Sequence, residues 1–135
     1  MDYILQGFNA LTPQFDYITV EGSGGILCPI DYDRTGQRSP IFLEDIIRAM
    51  NLNSVIVADA GLGTINAVVL TAEYMASHNL PVRGIIFNRY HKGNIMEEDN
   101  LYMCEKMTGL PVLACVQNGD TDIEIDDDIL KGLYK

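Results

Sequence analysis

Positive charge is scarce in this sequence. Nine Lys and Arg stand against nineteen Asp and Glu, giving a net charge of −10 and a pI near 4.3. Binding to phosphate backbones needs clustered cations, so a nucleic-acid surface is excluded. No apolar run approaches the roughly 18 residues of a membrane span, and the first residues lack the basic start of a secretory signal. The three cysteines, Cys28, Cys104 and Cys115, are odd in number and far apart, with no Cys-x-x-Cys pair. They read as reduced thiols, mostly in the core, and not as a disulfide set or a zinc site. The two imidazoles, His78 and His91, fall near predicted element ends, where a solvated role outweighs metal ligation. The expectation is an acidic cytoplasmic protein that binds neither membrane nor nucleic acid. At 135 residues it fits a single α/β domain over 1–135, large enough for a core but small for a complete two-substrate enzyme.

What is present centres on residues 55–75. Residues 55–58 are apolar and mostly β-branched, as suits a strand covered on both faces in a parallel sheet. Gly61 and Gly63 then allow a sharp turn, and Thr64 is a candidate helix N-cap. From Ile65 onward, Val68, Val69, Ala72 and Met75 recur near helical spacing, which predicts a helix whose amide-rich start faces the turn and attracts anions. An ordinary strand-turn-helix connection without a ligand explains the same residues. Gly61-Leu-Gly63 is not a dinucleotide fingerprint, because Asn66 fills its third glycine position. The unit points to a doubly wound, mostly parallel α/β sheet, with ligands beyond the carboxyl ends of the strands.

Ile4, Leu5, Phe8 and Leu11 predict a helix over residues 2–12, stopped by Pro13. Residues 17–20 predict a strand ending at Glu21-Gly-Ser-Gly-Gly25. A carboxylate at a strand's carboxyl end, followed by glycines, suits a phosphate ligand and a hydrated magnesium ion, and Glu21 is the candidate metal ligand. A solvated acid opening a flexible loop is the competing explanation. Residues 26–40 read as a long loop, with Asp33-Arg-Thr-Gly36 a turn. Leu43, Ile46, Ile47 and Met50 predict a short amphipathic helix.

A third strand is predicted over residues 81–87, closing on Asn88 and Arg89. The Asn88 amide can donate and accept, as reading a base edge requires, although forming a turn is an equally common role. Residues 95–107 predict a helix with Met96, Met103 and Met107 at or near its buried side and Gly109 closing it. A fourth strand follows over 112–116. The acidic run 118–128 reads as a solvated loop and not a calcium site, and a last short helix covers 127–134.

Val20-Glu-Gly-Ser-Gly-Gly25, Ala58-Asp-Ala-Gly-Leu-Gly-Thr-Ile-Asn66 and Gly84-Ile-Ile-Phe-Asn-Arg89, in this order and spacing, resemble the C-terminal part of the dethiobiotin synthetase family. The likeness runs from about Tyr17 to Asn118. It implies a P-loop NTPase-like fold truncated at the N-terminus. It also implies ATP- and magnesium-dependent closure of a ureido ring on 7,8-diaminopelargonate with carbon dioxide, in biotin biosynthesis. By resemblance, Glu21 ligates Mg2+ and with Gly22, Ser23 and Gly24 lines the nucleotide phosphates. Asn88 contacts adenine with Arg89 beside it, and Val116, Gln117 and Asn118 border the base. Leu62, Gly63, Thr64, Ile65 and Asn66 receive the substrate carboxylate, which in this family comes from the neighbouring subunit of a homodimer.

One departure is large. The family's front portion carries a Gly-rich phosphate loop ending in Gly-Lys-Thr, and no Gly-x-x-x-x-Gly-Lys-Ser/Thr occurs in this sequence. A second essential lysine, a further metal-binding aspartate and a substrate-binding serine belong to that portion too. None of Lys92, Lys106, Lys131 or Lys135 has a comparable context. The expectation is that the chain alone is inactive and carries no catalytic lysine, with the front half encoded separately or lost. The alternatives are a non-catalytic nucleotide- or metabolite-binding module of the same fold, and a plain structural or interaction domain.

Overall fold

The apolar spacing at the start of the chain folds as read: Asp2–Leu11 is helix α1, with Ile4, Leu5 and Phe8 half-buried. The Thr12 N–H donates to the Phe8 carbonyl, and Pro13 follows as the stop. The structure is a computed structural model and describes residues 1–134, in two compact units, Met1–Leu52 and Asn53–Lys135.

In the first unit, residues 17–20 form no strand. The β-branched residues there supply propensity, but strand structure depends on a ladder with a neighbour, which propensity does not provide. The long loop expected over 26–40 is also more ordered than read. Pro29–Asp31 is strand β1 and pairs antiparallel with Ile41–Phe42, strand β2. Between them the turn at Asp33 forms as expected. Its carboxylate accepts the Thr35 N–H at 2.9 Å, the Thr35 hydroxyl at 2.7 Å and the Arg38 N–H at 3.0 Å. Those bonds, the hydroxyl's first, hold its pKa below the ordinary carboxylate value. Helix α2, Leu43–Met50, follows; Asp45 at its start accepts the Phe42 N–H at 2.8 Å, and Ile46 is buried.

The second unit alternates strand and helix: β3 Ser54–Asp59, α3 Thr64–Ser77, β4 Val82–Asn88, α4 Ile95–Thr108, β5 Val112–Cys115 and α5 Asp127–Gly132. The strand order is β3-β4-β5 and both pairings are parallel, so the unit is an α/β sheet with helical crossovers. Its core joins Val68 of α3, Ile85 and Phe87 of β4, Cys104 of α4 and Ala60. Strands β4 and β5 approach closely at Gly84, where an added Cβ would lie 2.7 Å from the Pro111 carbonyl oxygen.

Two local readings change. Gly63, with φ +89°, is the N-cap of α3, and Thr64 is its first helical residue. A left-handed N-cap suits glycine, and it displaces the hydroxyl by one position. In α4 the buried line is Glu97, Asn100 and Cys104, while Met96 and Met107 are exposed and Met103 is half-buried. The helix turns its polar-looking face inward because Glu97 and Asn100 have internal hydrogen-bond partners. All three cysteines are free; burial pushes the Cys104 and Cys115 thiols up from their ordinary pKa. Among the described residues, no helix is long and apolar enough to cross a membrane.

Candidate functional site

Parallel pairing brings the carboxyl ends of the three strands to one edge of the second unit. Asp59 lies opposite Asn88, and Phe87 opposite Cys115. The segments singled out from sequence, 61–66, 88–89 and 116–118, leave the sheet at that edge.

The turn after β3 is tightly specified. The Ala60 N–H donates to the Asn88 carbonyl at 2.9 Å, tying the turn to β4. The Gly61 N–H donates to Asp59 Oδ1 at 2.8 Å. A Cβ on Gly61 would lie 2.9 Å from that oxygen, so the side chain is absent for close approach. Asp59 Oδ2 accepts from Arg89 Nε at 2.7 Å, although both side chains are largely exposed. From the other side, buried Asn100 Nδ2 donates to the carbonyls of Ala60 at 3.0 Å and Gly61 at 3.1 Å. Beyond this frame, the backbone N–H groups of Leu62, Gly63, Ile65 and Asn66 have no acceptor among the described residues. The Thr64 hydroxyl oxygen is buried and makes no hydrogen bond. Four orphan amides and an unserved hydroxyl thus stand at the start of a 14-residue helix, the end of a helix that favours negative charge.

At the end of β4, Asn88 is exposed and its Oδ1 accepts the Arg89 N–H at 2.8 Å. The turn-forming role is thus realised, while the two Nδ2 donors take no part in that bond. Arg89 adopts φ +55°, a left-handed conformation uncommon outside glycine and asparagine. Val116 ties β5 to β4: its N–H donates to Phe87 O at 2.8 Å, and its carbonyl accepts the Tyr90 N–H at 3.0 Å. Gln117 and Asn118 are exposed, with the Gln117 N–H donating to Asp120 Oδ2 at 2.7 Å. Burial and then the neighbouring Glu98 charge push the Tyr90 phenol up from its usual pKa. Glu97, 5% exposed, accepts the His91 N–H at 2.6 Å and the Asn94 side-chain amide at 2.9 Å, fixing the loop that enters α4.

The remaining candidates lie in the first unit. Glu21 is exposed and borders an open groove of about 680 Å³ lined by Tyr3, Ile4, Phe8, Leu11 and Val20. Gly24 has φ +97°, and a Cβ there would lie 2.9 Å from Cys28 Sγ. At Gly22 a Cβ would lie 2.6 Å from the Leu43 side chain. The backbone of this unit therefore already requires glycine at Gly24, while at Gly22 the Leu43 side chain can rotate aside. Among the described residues no group of three or more His, Cys, Asp or Glu is arranged to hold a metal. A lone exposed carboxylate still fits magnesium, which keeps several waters and takes phosphate oxygens as further ligands.

Asp59 and Asn100 frame the candidate turn and are not singled out by the sequence. Asp59 carried the signal credited to Glu21, an acid at a strand's carboxyl end before glycines. Asn100 is three residues after Glu97 and four before Cys104, on the buried line of α4, and methionine spacing drew the reading elsewhere.

An AAA domain family model matches residues 1–122. The chain is 46% identical over 132 residues to the ATP-dependent dethiobiotin synthetase BioD of Brachyspira hyodysenteriae, covering 98% of this chain and 58% of that protein. It is 46% identical over 135 residues to the protein of the same name from the Alaska E43 strain of Clostridium botulinum, covering 99% of this chain and 57% of that protein. The Eklund 17B strain's protein of that name is 47% identical over 134 residues. The chain thus spans less than two thirds of the length of these curated relatives.

Proposed function

The chain belongs to the AAA domain family and, within it, to the dethiobiotin synthetase family, and from that premise we propose that it is the C-terminal portion of an ATP-dependent cyclo-ligase. Its reaction is ureido ring closure on 7,8-diaminopelargonate with carbon dioxide and ATP, in the cytoplasm, as a homodimer. The observation that carries the reading is the β3–α3 turn. A long amino acid presents a carboxylate remote from its reacting amines, and the orphan amides of Leu62, Gly63, Ile65 and Asn66 with the Thr64 hydroxyl offer that carboxylate a fixed seat.

The amine takes up carbon dioxide as a carbamate, whose oxygen attacks the γ-phosphorus of ATP; ADP leaves. The second amine then attacks the carbamoyl carbon and expels phosphate. Holding the far carboxylate at α3 orients both amines without touching the reacting atoms. Asn88 and Arg89 at the end of β4, and Val116, Gln117 and Asn118 after β5, hold the adenine. Asn88 Nδ2 and the Gln117 and Asn118 amides supply donors and acceptors for its edge. Glu21, with Gly22, Ser23 and Gly24, would hold magnesium and the phosphates, and the ion would neutralise charge that gathers on the transferring group. The chain carries no phosphate-loop lysine, so turnover requires a P-loop-bearing segment.

The test is phosphate release by this chain mixed with a P-loop-bearing dethiobiotin synthetase front segment. Release that needs ATP, 7,8-diaminopelargonate and both pieces is expected, and it should fall sharply with Glu21→Ala. Turnover by this chain alone, or none from the mixture, contradicts the reading. An undiminished Glu21→Ala mixture removes the metal role.

A further inference from the structure

Asn100 of α4 reaches the β3–α3 turn from inside the second unit. It is 8% exposed, and Nδ2 donates to two successive carbonyls, of Ala60 and of Gly61. In a trans peptide the N–H points opposite to the C=O. Drawing the Ala60 carbonyl toward α4 therefore sends the Gly61 N–H the other way, where Asp59 Oδ1 takes it at 2.8 Å. Drawing the Gly61 carbonyl toward α4 sends the Leu62 N–H outward as well, and that amide has no acceptor among the described residues. An apolar side chain would fill this place as Cys104 does one turn on, but it would leave the Ala60 carbonyl without its partner and the Gly61 carbonyl with only the long 3.4 Å bond from the Thr64 N–H.

We infer that Asn100 is a positioning residue, setting the outward orientation of the Leu62 N–H, the first of the turn amides that receive a carboxylate. This rests on the reading of that turn as the carboxylate seat. Asn100 acts through the backbone of Ala60 and Gly61 and not by touching the ligand. The same hydrogen bonds couple α4 to the site, so a ligand drawing on the Leu62 amide is felt at the Asn100 side chain.

The test is titration of the nitrogen-15-labelled 135-residue chain with 7,8-diaminopelargonate, following individual amides by NMR. In the wild type, the Leu62, Gly63, Ile65 and Asn66 signals should move, and the Asn100 side-chain amide should move with them. Asn100→Leu, which keeps the branched outline and removes the donors, should bind roughly tenfold more weakly, and Asn100→Ser, too short to reach both carbonyls, should do the same. If the wild type binds and both folded variants keep its affinity and shifts, the positioning role is overturned while the carboxylate seat stands. If the wild-type turn does not respond, the seat is wrong and the inference fails with it. Should the variants not fold, the wild type still decides: turn amides that move while the Asn100 side-chain amide stays still overturn the role.

Discussion

Thr64 shows what a single residue contributes to this site. Its hydroxyl oxygen is buried without a hydrogen bond, an arrangement that costs about 1–3 kcal/mol in a folded protein. A residue chosen for stability would be Val, which has the same shape without the polar atom. Thr64→Val should therefore raise the melting temperature by roughly 4–11 °C, since the apo protein sheds an unserved group. The same change should weaken binding of 7,8-diaminopelargonate. Calorimetric melting and ligand titration on one preparation measure both. A variant that is more stable and binds equally well would make the hydroxyl a packing accident. Asp59 and Arg89 belong to the opposite category: their ion pair is short but exposed, so its worth lies in orienting the turn more than in stability.

Among the elements, β4 is the one on which the others depend. It pairs with both neighbouring strands, supplies Ile85 and Phe87 to the core and ends in Asn88, whose carbonyl anchors the turn. Its contact with β5 leaves no room at Gly84, where a Cβ would lie 2.7 Å from a backbone oxygen and 2.6 Å from the Leu113 side chain. The side chain can rotate away; the carbonyl of Pro111 cannot, because it accepts the Ile85 N–H. Gly84→Ala should cost about 1–3 kcal/mol in urea unfolding, with faster amide exchange along β5. An Ala variant as stable as the parent would mean that the two strands can part without penalty.

Over the whole molecule, the features legible from sequence are those whose cause is local. The apolar run of β3, the glycine turn and the periodicity of α3 sit within a single stretch, and each acts on its immediate neighbours. Residues 17–20 failed as a strand because strand structure is conferred by a partner, which composition does not reveal. The hairpin of β1 and β2 was hidden because its two strands are only three and two residues long. Asn100 stayed invisible because the carbonyl that gives it meaning lies 40 residues earlier in the chain. In the same way, the orphan amides follow from the helix start that the sequence predicts, while the buried hydroxyl beside them depends on packing between distant residues.

The direction of the strands in the second unit also governs how the chain reaches this state. All three run the same way, so no pair can zip up from a tight hairpin, and β3 meets β4 only after a loop containing all of α3 has closed. Chain diluted from denaturant should pass its slow step with unpaired strands bare to other molecules. Refolding yield, followed by light scattering, should thus fall as protein concentration rises, while the rate for molecules that succeed stays constant. A yield independent of concentration would mean that the strands find their neighbours before they find each other's copies.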